Sequence, residues 1–113
     1  MVSGIYRVHF VGGPLQNFGD GIAVFKDGAI NGGDVGYVYR GSYQTTDTRI
    51  AAAVNIKQWN FSLPNPVTDL SDYHLVVEEP APADWKKFTI KGRAAQHPEL
   101  VVTITATFLS EVA

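Results

Sequence analysis

Apolar and polar residues alternate in short segments along almost the whole chain, and turn-forming residues separate these segments. Alternation with a period of two places one set of side chains on each face of a β-strand. The clearest examples predict strands over 4–11, 85–94 and 100–109. No segment of useful length repeats with a helical period. The sequence therefore predicts an all-β protein, and its short connections favour a single-domain, up-and-down antiparallel β-barrel of about seven or eight strands.

Turn signals locate the other strands. Asp27-Gly28 lies between two apolar segments and predicts a type I′ hairpin turn, in which Gly28 takes positive φ. Asn31-Gly32-Gly33 predicts a second reversal, because glycine adopts positive φ without strain. Three alanines at 51–53 would also suit a helix, but their β-branched neighbours favour a strand. The further predicted strands cover 19–26, 29–30 continued by 34–43, 49–60 and 73–79.

Length and charge limit the classes of function. With 113 residues, the chain is expected to form one domain over 1–113. The net charge of −2 shows no basic excess for nucleic-acid binding, and the basic residues between 86 and 93 are interpreted as a solvated strand face. The N-terminal residues lack a signal-peptide pattern, and no run of about 18 apolar residues could span a membrane. We therefore expect a cytoplasmic protein without nucleic-acid or membrane partners.

The polar residues do not follow the pattern of a catalytic or metal site. His9, His74 and His97 lie on different predicted elements, and no serine lies in a Gly-x-Ser-x-Gly elbow. The chain has no cysteine, so a metal site would require distant histidines and carboxylates to converge. Asp69 and Asp72 are better explained as turn residues than as an acid and base pair. We expect no enzymatic activity, no catalytic residue, no metal and no cofactor.

The aromatic residues leave several interpretations open. Tyr37, Tyr39 and Tyr43 share one face of a predicted strand, and Asp34 precedes them where its carboxylate can cap neighbouring amides. Tyr37 and Tyr39 could line a pocket, anchor a protein contact or pack in the core, and the same holds for Trp59. Outward tyrosines would favour a partner, whereas inward ones would favour a ligand or plain core packing.

Several short motifs occur together along the chain and resemble a known family. They are Gly4-Ile5-Tyr6-x-Val8-x-Phe10, Gly19-x-Gly21-Ile22, Gly32-Gly33-Asp34, Tyr39-x-Gly41, the Pro64 loop and Tyr73-x-Leu75-Val76. Each motif is weak alone, but the combination is specific. It is similar to the GrlR family, the negative regulators of type III secretion, over most of the chain.

The resemblance implies a lipocalin-like β-barrel, a homodimer and a regulator that binds protein rather than DNA. In the family's namesake, an exposed Glu-Asp-Glu-Asp run binds the cognate transcriptional activator. The matching positions in this chain are Thr45, Thr46, Asp47 and Thr48, of which only Asp47 is acidic. The resemblance thus implies that these four residues bind the partner.

Two hypotheses about function follow. The first is a non-enzymatic, dimeric, cytoplasmic barrel that binds a protein partner such as a transcriptional regulator. The second is a carrier of a small apolar ligand, with a pocket lined by Tyr37, Tyr39 or Trp59 and bordered by small residues such as Ala52 and Ala106. A fully packed interior would exclude the carrier.

Overall fold

Eight antiparallel strands follow one another around a closed barrel in the computed structural model, which describes residues 2–11, 20–62 and 71–113. Each strand pairs with the next along the chain, and the last strand returns to pair with the first. This confirms the predicted all-β, up-and-down barrel. The described residues contain no helix with the length and apolar character needed to cross a bilayer. The strands are β1 (Gly4–Val11), β2 (Asp20–Lys26), β3 (Ala29–Gly33), β4 (Tyr37–Thr45), β5 (Arg49–Gln58), β6 (Asp72–Pro80), β7 (Lys87–Ala94) and β8 (Val101–Ser110).

The alternation of apolar residues forms a core inside the barrel. In β5, Ile50, Ala52 and Ile56 are buried, whereas Ala51 and Ala53 are exposed. β5 is a strand despite its three alanines because β4 and β6 pair with it along both edges. The predicted inward faces of the other strands are confirmed in the same way for Tyr6, Val8, Tyr73, Leu75, Val77, Phe88, Ile90, Val102, Ile104 and Ala106.

The turn between β2 and β3 has the predicted geometry. Asp27 and Gly28 both have positive φ, at 53° and 82°, and Lys26 pairs with Ala29 on either side of them. Positive φ at both central positions defines the type I′ turn, whose twist matches that of the flanking strands. The hairpin assignment is therefore confirmed.

The second predicted reversal is wrong in position. Asn31-Gly32-Gly33 lies within β3, and the chain reverses at 34–36, so the predicted third strand is in fact β3 and β4. Gly32 is required by close packing and not by positive φ, since an added Cβ would overlap the carbonyl oxygen of Ile22 on β2. Glycine is favoured both in turns and where two strands approach closely, so the sequence alone did not distinguish the two cases.

Some predicted strand ends also differ. β5 ends at Gln58 and not at 60, because the backbone N–H of Trp59 donates to the carbonyl of Gly36 in the neighbouring turn at 3.0 Å. β7 begins at Lys87, two residues after its predicted start. The predicted start of the second strand at 19 and the proline loop over 63–66 lie outside the described residues.

The two ends of the barrel carry different connections. We call the end with the turns at 27–28 and 46–48 and the connector at 81–86 the lower end, and the end with the turn at 34–36 the upper end. At the lower end Val2 is buried, and its carbonyl accepts a hydrogen bond from the Tyr43 hydroxyl at 2.7 Å. The N-terminal segment thus closes this end of the barrel.

We expect Gly28→Val to lower the free energy of unfolding by about 1–3 kcal/mol, because a β-branched residue is strained at positive φ. An added Cβ would meet only the Tyr43 carbonyl oxygen at 3.7 Å, so the loss would come from the backbone conformation and not from a clash. Urea denaturation measures it. Ala29→Val, at the exposed neighbouring strand position, is the control and should stay within about 0.5 kcal/mol. Equal stability of Gly28→Val and the wild type would contradict the turn assignment.

Candidate functional site

The three tyrosines of β4 face the barrel interior. Tyr37, Tyr39 and Tyr43 are all buried, which confirms that they share one face of a strand. The Tyr39 ring packs edge-to-face on Phe10 with centroids 5.4 Å apart, and the Tyr43 ring does so on Phe25 at 5.2 Å. An inward tyrosine face supports a ligand or core role for these side chains and not direct contact with a partner.

The carboxylate of Asp34 organises the turn at the upper end. Its Oδ1 accepts hydrogen bonds from the backbone N–H groups of Gly36 and Tyr37, each at 2.8 Å. Its Oδ2 accepts a hydrogen bond from the Tyr39 hydroxyl. An added Cβ at Gly21 would lie 2.5 Å from that hydroxyl, so a small residue on β2 leaves room for the contact. The cap predicted for Asp34 is confirmed, and it connects the turn to the core.

Burial keeps the upper tyrosines in their neutral form. Desolvation raises the pKa of Tyr39 and of Tyr73 well above the ordinary tyrosine value. The hydrogen bond to Asp34 raises the pKa of Tyr39 further, because the protonated hydroxyl is the donor. Both side chains therefore act as neutral packing and hydrogen-bonding groups near neutral pH.

The described side chains fill most of the barrel interior. A cavity of about 50 Å³ lies among apolar side chains that include Phe25, Tyr39, Ile56 and Leu75. Pockets for drug-sized ligands occupy about 300–1,000 Å³, and even benzene binds in a cavity of about 150 Å³. The carrier hypothesis therefore stays a prediction that would require the barrel to open.

Trp59 lies outside the barrel at the upper end. Its side chain is 56% exposed, while its indole N–H donates to the Asp34 carbonyl at 3.1 Å. Phe61 is also exposed, at 74%, and so is Val35, whose carbonyl accepts a hydrogen bond from the Asn60 side chain at 3.1 Å. We call Val35, Trp59 and Phe61 the upper apolar patch. A tryptophan held in one orientation and left largely exposed is suited to contact another protein.

The predicted partner-binding residues lie at the opposite, lower end. They form the turn between β4 and β5, in which the Thr46 hydroxyl accepts hydrogen bonds from the N–H groups of Thr48 at 3.3 Å and Arg49 at 3.1 Å. The Thr48 carbonyl accepts a hydrogen bond from Ala81 at 2.9 Å. Thr45 is half-buried, whereas Asp47 is exposed at the tip. The turn is ordered, but the fold does not bring it together with Tyr37, Tyr39 or Trp59.

Sequence reasoning missed an apolar row on the outer surface. Ile22 of β2 pairs with Gly33 of β3, which pairs with Val38 of β4, and both apolar side chains are exposed. Because Gly33 has no side chain, the surface between Ile22 and Val38 is flat. The signal was present in the sequence, since Ile22 and Val38 occupy positions that alternate with inward residues.

The histidines make only surface contacts in the described structure. His9 Nδ1 lies 2.8 Å from an oxygen of Asp20, and His97 Nδ1 lies 3.3 Å from an oxygen of Glu99. Across 2–11, 20–62 and 71–113, no three histidine or carboxylate side chains are grouped so that they could hold a metal ion. The described side chains provide packing and surface contacts, and we assign none of them as a catalytic acid and base pair.

Comparison with known proteins identifies a family. Residues 1–112 match the sequence model of a family described as "T3SS negative regulator, GrlR". The match extends over nearly the whole chain and confirms the resemblance inferred from the motifs. Among curated proteins, none matches the chain.

The raised tyrosine pKa values predict loss of stability at alkaline pH. A tyrosine whose pKa is raised in the folded state stabilises the protein fully at pH values below its unfolded pKa of about 10. This contribution is lost as the pH rises from that value toward the folded pKa. We expect the thermal midpoint to fall between about pH 9 and about pH 12. Tyr73→Phe removes one of these groups, so its midpoint should fall less steeply. Parallel curves for the variant and the wild type would contradict the assignment.

Proposed function

The chain belongs to the GrlR family of type III secretion negative regulators, and from this membership we propose that it is a non-enzymatic, cytoplasmic regulator that acts by binding another protein. The proposed partner is a transcriptional regulator. Family membership carries the proposal. The packing of the described residues supports it, because the cavity of about 50 Å³ among their inward side chains is too small for a ligand and leaves the outer surface for recognition.

The turn at 45–48 is the proposed partner-binding site. It projects from the lower end, and its backbone is fixed by the Thr46 hydroxyl, so little order has to be gained on binding. Asp47 supplies one negative charge at the tip. Glu78 of β6 is exposed opposite Ala51, near the start of β5, and adds a second charge at the same end. These carboxylates favour a basic surface on the partner.

We also propose that the protein is a homodimer and that the upper apolar patch contributes to the dimer interface. Exposed aromatic side chains are enriched where protein interfaces bury most of their area. The outer row of Ile22 and Val38 lies on β2 and β4, on either side of Gly33 of β3, and would extend that interface. The lower end would then remain free in both protomers for the partner.

Asp47→Lys should weaken partner binding about fivefold or more, because it replaces attraction to a basic surface with repulsion. The measurement is titration of the purified protein against the transcriptional regulators of the type III secretion genes in its host, with a secretion-promoter reporter as the cellular readout. Glu111→Lys makes the same change of charge at another exposed lower-end site and is the matched control. Unchanged binding by Asp47→Lys would remove the turn from the proposal, and no binding by the wild type would overturn the proposal itself.

Phe61→Ser should shift the equilibrium from dimer to monomer, because it removes a largely exposed aromatic group from the proposed interface. Sedimentation velocity over a range of concentrations gives the dimer dissociation constant, which we expect to rise about tenfold. Leu109→Ser removes a comparably exposed apolar side chain at the other end and should leave the constant unchanged. The reverse result would place the interface at the lower end.

A further inference from the structure

The contact between β6 and β7 is the weakest junction of the barrel. Their register runs only from Leu75 opposite Ala94 to Val77 opposite Gly92, whereas β7 pairs with β8 along its whole length. No strand among the described residues pairs with 87–90 of β7 on the β6 side. These residues therefore form a short edge within an otherwise closed sheet.

Side-chain oxygens complete the hydrogen bonding at both limits of this junction. At its upper limit the backbone N–H of His74 donates to Gln96 Oε1 at 3.2 Å. At its lower limit the backbone N–H of Lys91 donates to Glu79 Oε1 at 3.1 Å. Since Lys91 points its N–H toward β6, the alternation of the strand points the backbone groups of Lys87 and Thr89 the same way.

β6 and β7, which border the unpaired stretch, differ in their capacity to accept another strand. On β6, Pro80 lies at a position that faces β7, in alternation with His74, and it has no N–H to donate. On β7, Lys87 and Thr89 have complete backbone donors and acceptors, and Phe88 and Ile90 between them are anchored in the core. The edge of β7 is therefore fixed in position and available for pairing, whereas Pro80 prevents regular pairing along the edge of β6.

Basic side chains lie on the outer surface beside this edge. Lys87, Lys91 and Arg93 point outward from β7, and the facing positions on β8 are Thr107, Thr103 and Val101, which are uncharged. The next strand, β1, adds Arg7 opposite Thr107. Glu78 and Glu79 of β6 lie beside Lys91 and Arg93 at the same gap, and Arg7 is paired with Asp20 at 3.5 Å, so the positive charge nearest the unpaired residues is that of Lys87. Lys87 would attract a carboxylate on the outward face of an added strand.

We propose that the β6-side edge of β7, at Lys87–Ile90, binds an extended acidic segment of a partner protein by strand addition. The partner's backbone pairs with Lys87 and Thr89, and an outward carboxylate of the partner lies beside Lys87. This site is distinct from the turn at 45–48, but both lie at the lower end, where the Ala81 N–H in the connector before β7 donates to the Thr48 carbonyl of that turn. A nucleic acid is disfavoured, because the face has neither aromatic side chains for stacking nor a basic excess beyond these few residues.

The test uses two blocked, fluorescently labelled hexapeptides, one alternating glutamate with valine and one alternating lysine with valine. We expect the glutamate peptide to bind at least about tenfold more tightly in anisotropy titrations at low salt. The same glutamate peptide, N-methylated at alternate residues, keeps its charge but loses the backbone donors, and it should lose most of the binding. Equal binding by the N-methylated peptide would overturn strand addition, as would preference for the lysine peptide or for a single-stranded oligonucleotide.

Two observations on the protein locate the peptide. In the wild type, the amide of Thr89 should become protected from hydrogen exchange when the glutamate peptide is added, and the amide of Ala53 on β5 should not. Thr89→Pro removes the edge N–H and should weaken binding about fivefold, whereas Thr89→Ala keeps the backbone and should bind like the wild type. Protection elsewhere without protection at Thr89 would overturn the assignment, even where Thr89→Pro fails to fold.

Discussion

Pairing between β1 and β8 is the contact on which the rest of the structure depends. It runs along most of both strands and turns an open meander into a closed ring. Closure gives each strand two neighbours, so an alanine-rich segment such as β5 is held as a strand by partners on both edges. It also creates one enclosed interior in which the inward residues of all eight strands pack together.

Because the described side chains leave little space inside the barrel, recognition would take place at its outer surface. Aromatic rings of Tyr6, Phe25, Phe88 and Phe108 meet edge-to-face near the lower end, and Val2 closes the barrel below them. Nearer the upper end, Tyr39 packs on Phe10 and donates a hydrogen bond to Asp34. The cavity among these described side chains, about 50 Å³, is smaller than one that binds benzene. A regulator built this way is suited to recognition by its turns, its exposed apolar patch and its sheet edges.

The surface divides into regions with different chemistry. The lower end presents the ordered turn with Asp47, the upper end presents Trp59 and Phe61, and the face of β7 carries basic side chains beside a short unpaired edge. The turn at 46–48 and the start of β7 share the lower end, whereas Trp59 and Phe61 lie at the upper end. The proposed homodimer interface at the upper end would leave the two lower-end regions accessible.

Local chemistry in the sequence determined the strands, their inward faces and the Asp27-Gly28 turn, because period-two alternation and type I′ turn residues act over a few neighbouring positions. The sequence also predicted the Asp34 cap and the family to which the chain belongs. Only the tertiary structure decided that Gly32 serves close packing, that the tyrosines face inward while Trp59 faces outward, and that the turn at 45–48 and Trp59 lie at opposite ends. Each of these depends on which strands become neighbours when the barrel closes, and that pairing joins residues far apart in the chain.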